Sequence, residues 1–208
     1  MQHPSFAILA ITTVLAYGIG GLPFGYWFVR LTAGRDIRTM GSGNIGATNV
    51  YRSIGGKAGW IVLLLDVMKG FVAVWIAAAM TQADEAALAL AAVAVMLGHC
   101  YPIFLRFKGG KAVACFVGAF GYVAPFALAI AIAAFVIVFA LSRYVSLGSM
   151  FAAVVFPIAV WLTPGSSSAV RIAAIAAAVL IVYRHKGNIL RLRQGREPAF
   201  SLKGKTAG

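Results

Sequence analysis

Long apolar runs separated by short polar stretches make up most of the chain, and the run lengths are the first clue to its fold. Residues 6–29 are almost wholly apolar, enough to cross a bilayer, which takes about 20 such residues. Residues 60–80, 86–97, 145–161 and 169–183 repeat the pattern. The run 112–141 is awkward: long for one crossing and short for two. Gly118, Gly121 and Pro125 interrupt it near its middle, which predicts a hairpin of two short helices turning near Pro125. In the first run Gly18, Gly20, Gly21, Pro23 and Gly25 crowd the second half, predicting close helix packing and a bend.

Charge orients these helices. Of 208 residues 62% are hydrophobic and only 11% charged, far from the roughly 25% charged of soluble domains. The net charge of +13 comes from 18 Lys and Arg against five acids. In a membrane chain such an excess marks cytoplasmic loops beside anionic lipid. A compact basic domain, as nucleic-acid binding would need, is missing. The basic stretches 30–57, 106–111 and 184–205 should share the cytoplasmic face, and the acidic turn at Asp84 and Glu85 should lie outside. If 112–141 crossed once, the basic tail would emerge outside. If it is a hairpin, every basic residue except Lys69 and Arg171 returns to or near the inner face. The pattern therefore predicts an all-α integral membrane protein: seven transmembrane helices, some short, N-terminus outside and C-terminus cytoplasmic. Five crossings, with two apolar segments not fully crossing, is the alternative. Residues 1–208 then form one multi-span membrane domain. The first run lacks a basic leader and is too long for a signal peptide, so it reads as a retained span.

Three polar stretches carry the candidate chemistry. Gly41-Ser42-Gly43-Asn44-Ile45-Gly46-Ala47-Thr48-Asn49, followed by Arg52, offers glycine backbone that a ligand can approach closely. Its side-chain donors and its planar permanent cation suit phosphate. Arg106-Phe107-Lys108-Gly109-Gly110-Lys111 repeats the glycine–cation theme. The tail opens with Arg184-His185-Lys186-Gly187-Asn188-Ile189-Leu190-Arg191 and carries Glu197. On one membrane face they would suffice to hold more than one phosphate. His99 and His185 can change proton state near neutrality. Asp66 and Lys69, three apart inside a span, share a helix face and read as a mutually neutralising structural pair. Cys100 and Cys115 have no partners at metal spacing, and no metal site or cofactor is expected. No Ser-His-Asp spacing appears, no G-x-S-x-G elbow, and no His followed five residues later by Asp. A phosphorylated-solute transporter and a lipid-binding scaffold are the competing classes. Charges clustered on one face argue against transport.

Those residues resemble the three ordered motifs of the PlsY family, the bacterial acyl-phosphate:glycerol-3-phosphate acyltransferases. The resemblance covers nearly the whole chain. It implies seven membrane helices in the bacterial inner membrane, with the active site facing the cytoplasm. It implies transfer of a fatty acyl group from acyl phosphate to the 1-hydroxyl of glycerol 3-phosphate, without cofactor or obligate protein partner. Ser42, Arg52, His185 and Asn188 match the catalytic positions. Gly41, Gly43, Asn44, Thr48, Asn49, His99, Lys108, Gly109, Gly110, Lys111 and Arg191 are the candidate substrate-binding residues, and Glu197 matches a structural position. Two departures stand out: Ala112 where glycine is expected, and Cys115 where threonine is expected. Arg52, Lys108, Lys111 and the glycine-loop N–H groups are expected to hold the two phosphates.

Overall fold

The computed structural model describes residues 4–201; Lys203 and Lys205 of the basic tail lie outside the described residues. These form ten α-helices and two short 3₁₀ turns, with no strand among them. Helix α1 (Phe6–Gly20) starts where the Ser5 hydroxyl caps Ile8 N–H. The chain breaks at residues 21–23, ahead of α2 (Phe24–Ala33), as Pro23 predicts. A short α3 (Ala47–Ser53) leads to α4 (Gly56–Thr81). Asp84 caps the start of α5 (Glu85–Cys100). Then come α6 (Val113–Val123), α7 (Pro125–Ser142), α8 (Val145–Leu162), α9 (Ser168–Arg184) and α10 (Lys186–Arg193).

Five segments are long and apolar enough to cross a bilayer alone: Phe6–Ala33, Gly56–Thr81, Glu85–Leu105, Pro125–Ser142 and Val145–Leu162. The α9–α10 pair, bent by 54° at its break, adds a sixth only if the two helices count as one span. Helix α6 has only 11 residues. At 1.5 Å per residue it reaches about 16 Å, roughly half the hydrocarbon thickness.

The run 112–141 is a helical hairpin. Ala124 is its corner, and Pro125 opens α7 at the position where a missing N–H costs nothing. Val123 and Pro125 line one cleft with Ala83, Glu85 and Thr163, far from the polar motifs. At the opposite end α6 follows Lys111, and the Arg143 carbonyl just past α7 accepts from Phe200 N–H at 2.8 Å. Both helices thus connect the same two ends of the bundle, in opposite directions.

Small residues set the tightest crossings. A Cβ on Gly20 would lie 2.1 Å from the Val95 carbonyl oxygen, and one on Gly98 2.1 Å from that of Tyr17, so α1 and α5 touch backbone to backbone. Gly118 against Val67 (1.9 Å) and Gly70 against Cys115 (2.3 Å) do the same for α4 and α6. Phe116 and Phe120 on α6 pack with Phe156 on α8, ring centroids 4.7–5.2 Å apart. Outward, α7 exposes Phe126, Ile130, Val136, Ile137 and Leu141. Such an apolar exterior belongs in hydrocarbon, not water.

Candidate active site

The first motif is organised from inside by one side chain. Asn49 is buried on α3. Its amide donates to the carbonyls of Met40 (3.0 Å) and Asn44 (2.8 Å), and its Oδ1 accepts from Ser42 N–H (2.9 Å). Asn44 Oδ1 accepts from Gly46 N–H, and Gly43 N–H bonds the Met40 carbonyl. Gly41 is required here: its φ is +53°, and a Cβ would lie 2.3 Å from Asn49 Oδ1. The loop leaves Ser42 exposed and Thr48 half-buried. The single α3 turn and a half after it delivers Arg52.

The second motif is clamped as firmly. Gly109 N–H bonds the Cys100 carbonyl, Gly110 N–H that of His99, and Lys108 N–H that of Leu105. From the other side Arg184 donates Nη2 to the Gly109 carbonyl (2.9 Å) and Nε to the Gly110 carbonyl (3.0 Å). Its guanidinium also stacks 5.0 Å over Tyr101.

These bonds correct one expectation. The N–H groups of Ser42, Gly43 and Gly46 are spent inside the first loop and those of Gly109 and Gly110 on carbonyls at the end of α5, because buried backbone groups must be satisfied by the protein itself. The glycines shape and lock the loops. Asn49, expected among the substrate contacts, ties the first loop together, and His99, expected there too, packs against Gly110. His99 is buried at the end of α5, and a Cβ on Gly110 would meet its Nε2 at 2.0 Å. Lys108 is exposed on the rim.

Behind His99 lies the intramembrane charge pair. Lys69 Nζ is 2.7 Å from Asp66 Oδ1, both buried, and Lys69 also donates to the Leu22 carbonyl at the α1–α2 break. That second bond uses a carbonyl freed by the Pro23 interruption. Asp66, His99 and Cys115 bring three potential ligand atoms within 4.8 Å of one another. Lys69 already supplies that carboxylate with a cation, so the group is a neutralised pair flanked by a histidine and a thiol.

The second and third motifs meet directly. Lys111 Nζ donates to Asn188 Oδ1 (2.6 Å), and Asn188 Nδ2 donates to Glu197 Oε1 (2.6 Å). Ser146 Oγ also donates to Oε1 (2.6 Å), and Arg191 Nε to Oε2 (2.7 Å). Asn188 is thereby fixed in one amide orientation. The first motif joins through Arg52, whose Nη2 donates to the Pro198 carbonyl (3.1 Å). Ser146 and Arg184 are not among the sequence candidates. Ser146 opens an apolar helix, and Arg184 reads as the first residue of a basic tail.

The electrostatics are lopsided. Arg52, Lys111, Arg184 and Arg191 act on one another around one carboxylate, Glu197. Burial lowers the Lys111 ammonium to about 8, opposed by Glu197 and aided by the three guanidiniums. Burial pulls Glu197 upward, but the bonds from Ser146, Asn188 and Arg191 outweigh it and hold the carboxyl below its ordinary value. His185, at the α9–α10 bend, is buried, and its Nδ1 lies 2.8 Å from the Ile181 carbonyl. A carbonyl can only accept, so Nδ1 carries the proton and Nε2 is the bare nitrogen. Burial and the neighbouring Lys111 charge lower the ring to about 4, so it is neutral at pH 7.

Comparison with known proteins identifies the family. A family model described as glycerol-3-phosphate acyltransferase matches residues 10–195. A glycerol-3-phosphate acyltransferase of Syntrophotalea carbinolica is 44% identical over 190 residues, covering 91% of this chain and 96% of its own. One from Jannaschia sp. strain CCS1 is 46% identical over 204 residues, covering 98% and 97%. Two crystal structures of PlsY, an integral membrane glycerol 3-phosphate acyltransferase, superpose closely. Its glycerol 3-phosphate form gives a TM-score of 0.87 at 38% identity, covering 93% of this chain and 96% of that one. Its lysophosphatidic acid form gives 0.84 at 36%, covering 94% and 97%. With the fold, the three motifs and these relatives in agreement, the chain belongs to the PlsY family of glycerol-3-phosphate acyltransferases.

Proposed function

We propose that the donor is a fatty acyl phosphate. The acyl group passes to the 1-hydroxyl of sn-glycerol 3-phosphate, giving 1-acyl-sn-glycerol 3-phosphate and inorganic phosphate. This would be the first acylation of bacterial phospholipid synthesis. The single observation that carries the reading is the unbalanced cationic cluster of Arg52, Lys111, Arg184 and Arg191 around Glu197, at one end of an apolar bundle. Two phosphorylated reactants would neutralise it, and an acyl chain could lie against the lipid-facing helices without desolvation. The same reading has seven crossings, the N-terminus outside, and the site at the cytoplasmic face of the inner membrane. Residues 1–208 act as one domain.

An acyl phosphate is already activated, so no covalent acyl-enzyme is required. Arg52 and Lys111 hold phosphate oxygens by charge-assisted bonds. Ser42 and Asn188 orient the donor. The acceptor hydroxyl oxygen attacks the donor's carbonyl carbon, the carbon–oxygen bond to phosphorus breaks, and phosphate leaves. The hydroxyl proton goes to the departing phosphate. His185, neutral and too weak a base at neutral pH, does not take it. The enzyme contributes position and charge.

The test is purified protein in detergent with acyl phosphate and glycerol 3-phosphate, native against Arg52→Ala. Losing the guanidinium's charged bonds costs about 3 kcal/mol, roughly 100-fold in kcat/KM. Absence of an acylated product from native protein, or an Arg52→Ala variant with native activity, would overturn the proposal.

A further inference from the structure

Beyond α10 the chain does not leave the bundle. It turns at residues 194–196 and runs back across the site as a strap. Glu197 is buried under Asn188, and the Pro198 carbonyl meets Arg52. At Phe200 the strap is fastened twice. Its N–H donates to the Arg143 carbonyl at 2.8 Å. Its ring sits between Tyr51 and Phe139, with centroid distances of 4.9 and 5.7 Å. Tyr51 is the residue before Arg52 on α3, and Phe139 is near the end of α7. The Phe139 ring is itself stacked on Phe135 at 5.7 Å. A ring held from two helices is a defined seat, and the carbonyl two residues earlier inherits that position.

Resting on the acyltransfer reading above, we propose that Phe200 is a positioning residue for the phosphate-binding guanidinium of Arg52. The wedged ring fixes the strap, the strap fixes the Pro198 carbonyl, and that carbonyl holds one end of the Arg52 fork. A guanidinium has five N–H donors, so one spent on the carbonyl aims the plane and leaves capacity for a phosphate. Without the wedge, Arg52 keeps its charge but loses its direction. Phosphate binding would weaken in ground state and transition state alike, which raises KM and spares kcat. Neither Phe200 nor Pro198 touches the reacting atoms.

The experiment compares native protein with Phe200→Ala, Phe200→Leu and Phe200→Tyr in detergent. KM for each phosphorylated substrate, kcat and the thermal unfolding midpoint are measured. The expected result for Phe200→Ala is a KM for at least one substrate raised about fivefold or more, with kcat within about threefold of native. Phe200→Tyr, which keeps the ring, should restore KM to within about twofold, and Phe200→Leu should fall between. Native KM values in Phe200→Ala would overturn the inference, as would a loss confined to kcat or thermal stability. Native protein that makes no acylated product would instead refute the acyltransfer reading, so the two failures are distinguishable.

Discussion

Replacing Glu197 by glutamine removes one charge and almost no volume, at the point where the second and third motifs are tied together. In the native chain Oε1 accepts from Ser146 and Asn188 and Oε2 from Arg191, at 2.6, 2.6 and 2.7 Å. An amide puts an NH₂ group in one of those places. Facing Oε1 it would oppose the Asn188 donor; facing Oε2 it would oppose Arg191 Nε. The cheaper orientation keeps Asn188 and Ser146 and gives up Arg191. A charged hydrogen bond is worth about 1.5–3 kcal/mol. The Arg191 side chain is 37% exposed, so water recovers part of that, and about 2 kcal/mol remains. At about 2–4 °C per kcal/mol, the unfolding midpoint should fall by about 4–8 °C. Asn188 would keep its bond, but to a neutral acceptor no longer braced by Arg191, and the same 2 kcal/mol expressed in catalysis is roughly 30-fold in kcat/KM. Glu197→Ala strands three donors and should cost about 3–5 kcal/mol. Phosphate release and thermal unfolding on one detergent preparation check both variants. If Glu197→Gln unfolds at the native temperature with native kcat/KM, the carboxylate does not organise Asn188.

Three further outcomes are expected. Ala112 stands at φ +60° before α6, a conformation glycine adopts without penalty; Ala112→Gly should therefore stabilise the protein by about 1 kcal/mol in thermal unfolding, and an unchanged or lower midpoint would contradict this. With its ammonium lowered to about 8, Lys111 is charged below that pH and loses its hold on phosphate above it. KM for a phosphorylated substrate should climb above pH 8, and Lys111→Arg should remove that climb. Because the folded His185 value of about 4 lies below the ordinary 6.5, the unfolded chain takes up the proton first. This contribution to stability is full above pH 6.5 and is lost as pH falls toward 4. Histidine ¹⁵N NMR, assigned with His185→Gln, should show no imidazolium at this position at pH 6.

Much of this architecture is legible in the chain because lipid punishes errors in run length and charge. The hairpin corner is written in Pro125, and the kink ahead of α2 in Pro23. The Asp66–Lys69 pair follows from a three-residue spacing that puts both on one helix face. Less legible is the direction in which the glycine loops point their N–H groups. Gly, Ser and Asn are equally suited to a phosphate nest and to a self-bonded turn, and only the inward turn of Asn49 and the arrival of Arg184 from α9 decide it. Ser146 and Phe200 could not be picked out, since each matters through a partner 51 or more residues away in the chain. At Ala112 the residue and its backbone disagree: the glycine that the family resemblance implies there is the residue its left-handed φ favours.

The most direct measurement follows two products in one reaction: inorganic phosphate and 1-acylglycerol 3-phosphate, formed by purified protein from acyl phosphate and glycerol 3-phosphate. Direct transfer predicts that they appear in equal amounts and that phosphate release stops when glycerol 3-phosphate is withheld. Phosphate released without an acylated product, or acylation that proceeds from a thioester and not from acyl phosphate, would contradict it.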